Sequence, residues 1–163
     1  MIVISDTSPL SNLLVIGKLD LLAQLFEKVC IPAVVWEEIS RLETFGIDPS
    51  PIKRAPWILI EEVKDQALVQ ELRRELDPGE AAAIALAVEL EIKTILIDEK
   101  PGRLIAQKYA LTPTGVLGIL LRAKELRLLQ EIKPELDKLR EKAGFYISDP
   151  LYDRIMELAG EMG

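Results

Sequence analysis

The sequence predicts an α/β fold: a three-layer α/β/α sandwich around a central parallel sheet, with a helical carboxyl-terminal extension. Three observations point to it. Short β-branched and apolar runs alternate with helical stretches over residues 1–125. The clearest of these runs, such as Thr94 to Ile97, are β-branched and apolar without alternation, as strands covered on both faces are. After about Gln130 the patterning is helical, apart from the short β-prone segment Phe145-Tyr146-Ile147. Strands separated by helices imply right-handed β-α-β crossovers. With 163 residues, 49% of them apolar, the chain suits a single domain, 1–163, divided into a core (1–125) and the extension (126–163).

Ile2 to Ser5 reads as a buried strand. Ser8-Pro9 predicts a helix start, Ser8 as N-cap and Pro9 at the first helical position; the helix runs to about Ile16 and stops at Gly17. Leu19 to Phe26 is a second helix, Lys28 to Ile31 a short strand, and Pro32 opens a helix to about Leu42. From Glu43 to Pro56, Gly46, Pro49, Pro51 and Pro56 sit among polar residues and predict a loop. Trp57 to Val63 reads as a strand and Asp65 to Leu76 as a helix. Asp77-Pro78-Gly79 punctuates, and Glu80 to Leu90 is an Ala-rich helix. Thr94 to Ile97 is a strand, Pro101 to Tyr109 a helix, Leu111-Thr112 a short strand and Thr114 to Leu126 a helix. Gln130 to Ala143 and Asp149 to Ala159 complete the chain, separated by Gly144.

Composition excludes whole classes of chemistry. The chain has no histidine, which removes Ser-His-Asp triads, Cys-His pairs and His-ligated zinc. Its one cysteine, Cys30, lies in the apolar run Val29-Cys30-Ile31 and reads as a buried thiol. No disulfide or Cys-rich zinc site is possible within the chain. No secretory signal is visible, and no apolar run approaches the roughly 20 residues needed to cross a bilayer. A cytoplasmic protein without membrane contact is the expectation. No phosphate-binding glycine motif is present.

The carboxylates carry the functional reading. Ligands of open parallel sheets bind beyond the carboxyl ends of the strands. Asp6 ends the first strand, Asp98 ends Thr94 to Ile97, and each precedes a helix that begins near a proline. Each acid would also complement a helix N-terminus, so a shared cleft and simple capping both stand. In the helix from Pro32, Val34, Val35, Ile39 and Leu42 share a face, and Glu38 falls inside that apolar sector. A carboxylate there costs several kcal/mol unless it is paired, protonated or bound to metal; Arg41 and Arg103 are the candidate partners. Asp77 and Glu80 fit a capping box, yet Glu80 also shares a face with Ile84, Ala87 and Val88. Four acids brought together repel one another. A hard dication, Mg²⁺ or Mn²⁺, resolves the repulsion and suits phosphodiester hydrolysis.

Asp6-Thr7-Ser8-Pro9-Leu10, Ile31-Pro32 with Glu38-Ile39, Leu76-Asp77-Pro78-Gly79-Glu80-Ala81 and Ile97-Asp98 resemble, in order and spacing, the PIN domain family. The resemblance covers about residues 1–125 and leaves the helical extension outside the common core. It implies a Mg²⁺- or Mn²⁺-dependent ribonuclease, often the toxin of a toxin–antitoxin pair, with RNA as substrate and an antitoxin protein as partner. Carried over by position, Asp6, Glu38, Glu80 and Asp98 are the catalytic, metal-binding acids, Glu99 a further metal-binding acid and Ser8 a hydroxyl beside the metal. The family commonly has Asp where this chain has Glu80. Its exposed Asp or Asn shortly after the fourth acid is not matched, since Lys100 and Pro101 follow Glu99.

A net charge of −7 opposes binding to a polyanion. A local basic rim would meet that objection. Arg41, Lys53, Arg54, Lys100, Arg103 and Lys108 are the candidates, with Lys53 and Arg54 on a loop expected to overhang the acids. Leu128, Leu129, Ile132, Leu136 and Leu139 recur at helical spacing, as core or as the seam of a homodimer. Two other readings stand beside the nuclease. One is an inactive scaffold of the same fold that binds RNA or protein. The other is a phospho-accepting receiver domain, which expects an acidic pair after the first strand, where Asp6 stands alone.

Overall fold

The computed structural model describes residues 1–162. Five strands, β1 (Ile2–Ser5), β2 (Lys28–Pro32), β3 (Ile58–Glu61), β4 (Thr94–Leu96) and β5 (Thr112–Thr114), form one parallel sheet in the order β3-β2-β1-β4-β5. Ile4 lies opposite Cys30 on one side and Ile95 on the other.

Both faces of the sheet are covered, as the apolar runs require. Val3, Val29, Ile31 and Leu96 enter one core with α1 (Thr7–Val15), α3 (Ala33–Ser40), α8 (Val116–Glu125), α9 (Lys133–Glu141) and α10 (Asp149–Leu158). Their chain neighbours Ile4, Cys30, Ile95 and Ile97 face the other core, with α5 (Gln66–Leu72), α6 (Pro78–Leu90) and α7 (Lys100–Lys108). Successive strand residues thus bury on opposite faces, the period-two consequence of the pleat. The helix α6 is buried almost all round, which explains its run of alanines.

The carboxyl-terminal extension is core. Ile132, Leu136 and Leu139 are fully buried in the first cluster, beside Ile155 and Met156. Glu161 holds the end of the chain down, accepting from Lys124 Nζ and the Ile132 amide, each at 2.7 Å. Among the described residues no helix is long and apolar enough to cross a membrane.

Three expectations need correction. The stretch from Glu43 to Pro56 is not an open loop, because a 3-10 turn (Arg41–Phe45) and the short helix α4 (Ser50–Lys53) occupy most of it. Asp48 starts α4's turn by accepting from the Ser50 amide and hydroxyl. The first helix starts at Thr7, with Asp6 rather than Ser8 at the N-cap position. The helix read from Leu19 to Phe26 is only α2 (Leu21–Leu25).

Candidate active site

The order of the strands fixes where a ligand would lie. From β1 the chain moves one way to β2 and β3, then returns to place β4 and β5 on the other side. The sheet therefore switches direction between β1 and β4, and the crevice beyond their carboxyl ends is the expected site. Asp6 follows β1 and Asp98 lies just beyond β4. The two strands are in register at Ser5 and Leu96, and the Asp6 amide donates to the Leu96 carbonyl at 3.0 Å. Both acids are nearly buried, 5% and 8% exposed.

Glu38 comes to Asp6 through Gly79. A Cβ built on Gly79 would overlap Glu38 Oε1 and stand 2.8 Å from Asp6 Oδ1, so both carboxylates rest against the bare start of α6. Glu38 is half-buried, as its place in the apolar sector of α3 requires. Glu80, one residue beyond Gly79, divides its two oxygens. Oε1 accepts from the Asp77 amide at 3.3 Å and completes the capping box, while Oε2 turns toward α7, 2.8 Å from a Cβ built on Gly102. Glu38 Oε1 and Glu80 Oε2 are buried, and neither has a hydrogen-bond partner. The Thr7 hydroxyl is buried beside Glu38, within reach of its carboxyl.

Charge follows from this packing. Burial pushes Asp6 well above the usual carboxylate range, partly opposed by the Thr7 amide, and the charges of Asp77, Glu38 and Glu80 push it further. Burial, then Asp77, raises Glu38, opposed by the Thr7 hydroxyl and the charge of Arg41. Glu80 is pushed up to about 7, mainly by burial and Asp77, with Glu99 adding to it.

Asp98 is different. Its Oδ1 accepts from the Val116 amide at 2.7 Å, and its Oδ2 from Ser8 Oγ at 2.9 Å and Asn12 Nδ2 at 3.0 Å. Burial raises this carboxyl too, but those three donors and Arg103 oppose it. Arg103 turns back to donate to the Asp98 carbonyl. The structure thus gathers Asp6, Glu38 and Glu80 in one mutually repelling group, with Asp98 beside it on its own set of donors. Among the described residues no three acids stand at metal-coordinating distances.

The remaining candidates divide. Glu99 is exposed at the N-cap position of α7, Lys100 begins that helix, and Ser8 is committed to Asp98 and Asn12. Lys108 sits in the last turn of α7. Arg41 pairs with Glu37 at 3.9 Å, and Lys53 lies over the Trp36 ring at 5.8 Å. Arg54 lies with Gly17, Asp20 and Trp57 at the amino edge of the sheet, away from the acids it was expected to overhang. Backbone dipoles meet the acids at the opposite, carboxyl edge of the sheet, where α1, α6, α7 and α8 all begin and where the Val116 amide holds Asp98.

The family model described as PIN domain matches residues 2–161. The chain belongs to the PIN domain family. The match takes in the carboxyl-terminal helices, which the sequence reading had left outside the shared core. No curated protein and no solved structure gives a significant match. Membership carries nuclease-type chemistry with it, and the donor set of this PIN domain fits a hard dication: oxygen only, buried, mutually repelling, with two orphaned carboxylate oxygens.

Several participants escaped the sequence reading. Asn12 is four residues from Ser8, so the pair shares a helix face, a signal that was readable. Gly79 and Gly102 each follow a proline in the first turn of a helix, where glycine costs conformational entropy and so signals a close approach. Thr7 carries no local signal of its role.

Proposed function

We propose that this PIN domain is a Mg²⁺- or Mn²⁺-dependent endoribonuclease, acting in the cytoplasm as the toxin of a toxin–antitoxin pair. One observation carries the reading. Glu38 Oε1 and Glu80 Oε2 are buried without a donor beside a buried Asp6, at the crevice where an α/β sheet binds its ligand. An unsatisfied buried polar group costs about 1–3 kcal/mol, and more when charged. A dication held by Asp6, Glu38 and Glu80, with Asp98 alongside and Glu99 at the exposed rim, removes that cost.

Bound there, such an ion supplies Lewis-acid activation of a phosphodiester and neutralises charge on the leaving oxygen. The chain's own groups do the rest. Ser8 and Asn12 fix the orientation of Asp98, and Thr7 stands beside Glu38. Lys100, Arg103 and the N-terminus of α7 form the positive edge that receives the RNA backbone, which supports RNA binding despite the acidic net charge. The toxin role and an antitoxin partner rest on family resemblance. A homodimer is part of the same proposal, although Leu129, Ile132, Leu136 and Leu139 are spent on the core and only Leu128 of that set stays exposed.

A second reading, an inactive PIN scaffold that binds RNA or protein, draws on the full set of donors around Asp98 and on the spacing of the acids. Cleavage of a random single-stranded RNA pool separates the two. The nuclease reading expects Mn²⁺-dependent cuts that Asp6→Asn removes while the far-ultraviolet circular dichroism is retained. Cuts that persist at the same rate in Asp6→Asn sink the site, and RNA binding without cuts favours the scaffold.

A further inference from the structure

A cavity of about 220 Å³ opens between the start of α3, the helix α5 and the first turns of α6. It shares two walls with the acid group. Pro78 lines it and adjoins Gly79, against which Asp6 and Glu38 rest; Ala33 lines it from the helix that carries Glu38. We infer that this cavity is a nucleobase subsite, taking one base of the RNA strand whose phosphodiester lies at the acids; the inference rests on the ribonuclease reading.

Three features argue for a base. The first is size: the volume falls below the roughly 300–1,000 Å³ of pockets for drug-sized ligands, and so suits a single ring system. The second is a stripe of polar side chains along one face of α5 and its C-cap. Gln66, Gln70 and Arg73 recur at i, i+4 and i+7, and all three line the cavity. Gln66 Nε2 donates to the Val63 carbonyl at 2.8 Å, which orients the amide and leaves its carbonyl and second N–H for a ligand. Among the described residues Arg73 has no ion-pair partner, whereas Arg74 beside it pairs with Glu71 at 3.8 Å.

The third is the mixture of groups. Amides offer a donor and an acceptor together, a guanidinium offers a planar fork, and Glu62 at the rim adds a carboxylate acceptor. Base edges carry donors and acceptors side by side and are read by such groups, most often in unpaired strands. Pro32, Pro78 and Val63 give apolar surface for the ring. A simple phosphate site would have no use for two glutamines and a glutamate.

The test uses the ¹⁵N-labelled full chain without divalent metal, so that the acids recruit no phosphate. Each of the four nucleoside 5′-monophosphates is titrated to millimolar concentration, and ribose 5-phosphate serves as the control lacking a base. At least one nucleotide is expected to shift the side-chain amide resonances of Gln66 and Gln70, with affinity falling tenfold or more in the exposed-residue double variant Gln70→Ala, Arg73→Ala. The base profile of cuts in a random RNA pool is expected to flatten in the same variant. Equal shifts with ribose 5-phosphate, or no shift with any nucleotide, overturn the subsite. A chain that binds a base at these amides but never cuts RNA sinks the ribonuclease reading alone. Cutting with an unchanged base profile in the double variant, and no amide shifts, sinks the subsite alone.

Discussion

Gly79→Ala should separate the stability of the fold from the competence of the site. The added Cβ overlaps Glu38 Oε1 and crowds Asp6 Oδ1 at 2.8 Å. Restoring ordinary contact means Glu38 withdrawing by roughly an ångström, and the clash is with the end of a flexible side chain, so the backbone need not move. Alanine is favoured over glycine in a helix by up to about 1 kcal/mol, less in its first turn. The variant is therefore expected to unfold in urea within about 0.5 kcal/mol of the parent, or slightly above it. Displacing a supporting group at a metal site typically weakens affinity about 10–100-fold, equivalent to about 1.4–2.8 kcal/mol of binding. Calorimetric titration with Mn²⁺ should show that loss. Unchanged Mn²⁺ affinity would refute the convergence of Glu38 and Asp6 at α6, and a large loss of stability would refute the assignment of the glycine to the site rather than the fold.

Other outcomes follow from the same geometry. Glu80 is raised from 4.5 to about 7, so the native state keeps a proton the unfolded chain has lost, and stability of the metal-free protein should fall as pH rises across that window. After discounting for screening the drop is roughly 1–2 kcal/mol, and Mg²⁺ should restore it by binding the native state alone; stability that climbs over the window contradicts the burial of this carboxyl. Asn12→Ala removes one of the three donors to Asp98 and should cost about 1.5–3 kcal/mol in chemical denaturation, the range for a hydrogen bond to a charged group, with a loss under 0.5 kcal/mol counting against the clamp. Leu136→Ala, in the extension, should cost about 2–5 kcal/mol because the side chain is fully buried; a neutral result would make that helix peripheral. Lys100→Ala should weaken RNA binding and flatten its salt dependence, while Arg54→Ala, at the amino edge, should change neither.

Much of this was legible in the residues because it was local. β1 and β4 are short, apolar and bounded by acids, so their burial and the place of Asp6 and Asp98 could be read before any contact was known. Glu38 was legible because one polar residue in an apolar helical sector is a conflict that demands resolution. Glu80 was legible only in part: the capping box accounts for Oε1, and nothing in the spacing tells that Oε2 is stranded against Gly102. The division of the acids was not readable, since the donors to Asp98 come from α1 and from α8, both distant in sequence. Arg54 misled for a related reason. Pro49, Pro51 and Pro56 look like a loop, yet Pro49 sits at the N-cap and Pro51 in the first turn of a short helix, after which Arg54 lies at the far edge of the sheet.

The pocket of acids is tested most directly by Mn²⁺ binding to the purified chain, followed by calorimetry and by the electron paramagnetic resonance of the free ion, for the parent and for Asp6→Asn and Glu38→Gln. Saturable uptake by the parent, lost or weakened at least tenfold in both folded variants, is the predicted result. A parent that leaves all Mn²⁺ free at neutral pH, or variants that take it up as well as the parent, would show that these carboxylates are buried for some other reason.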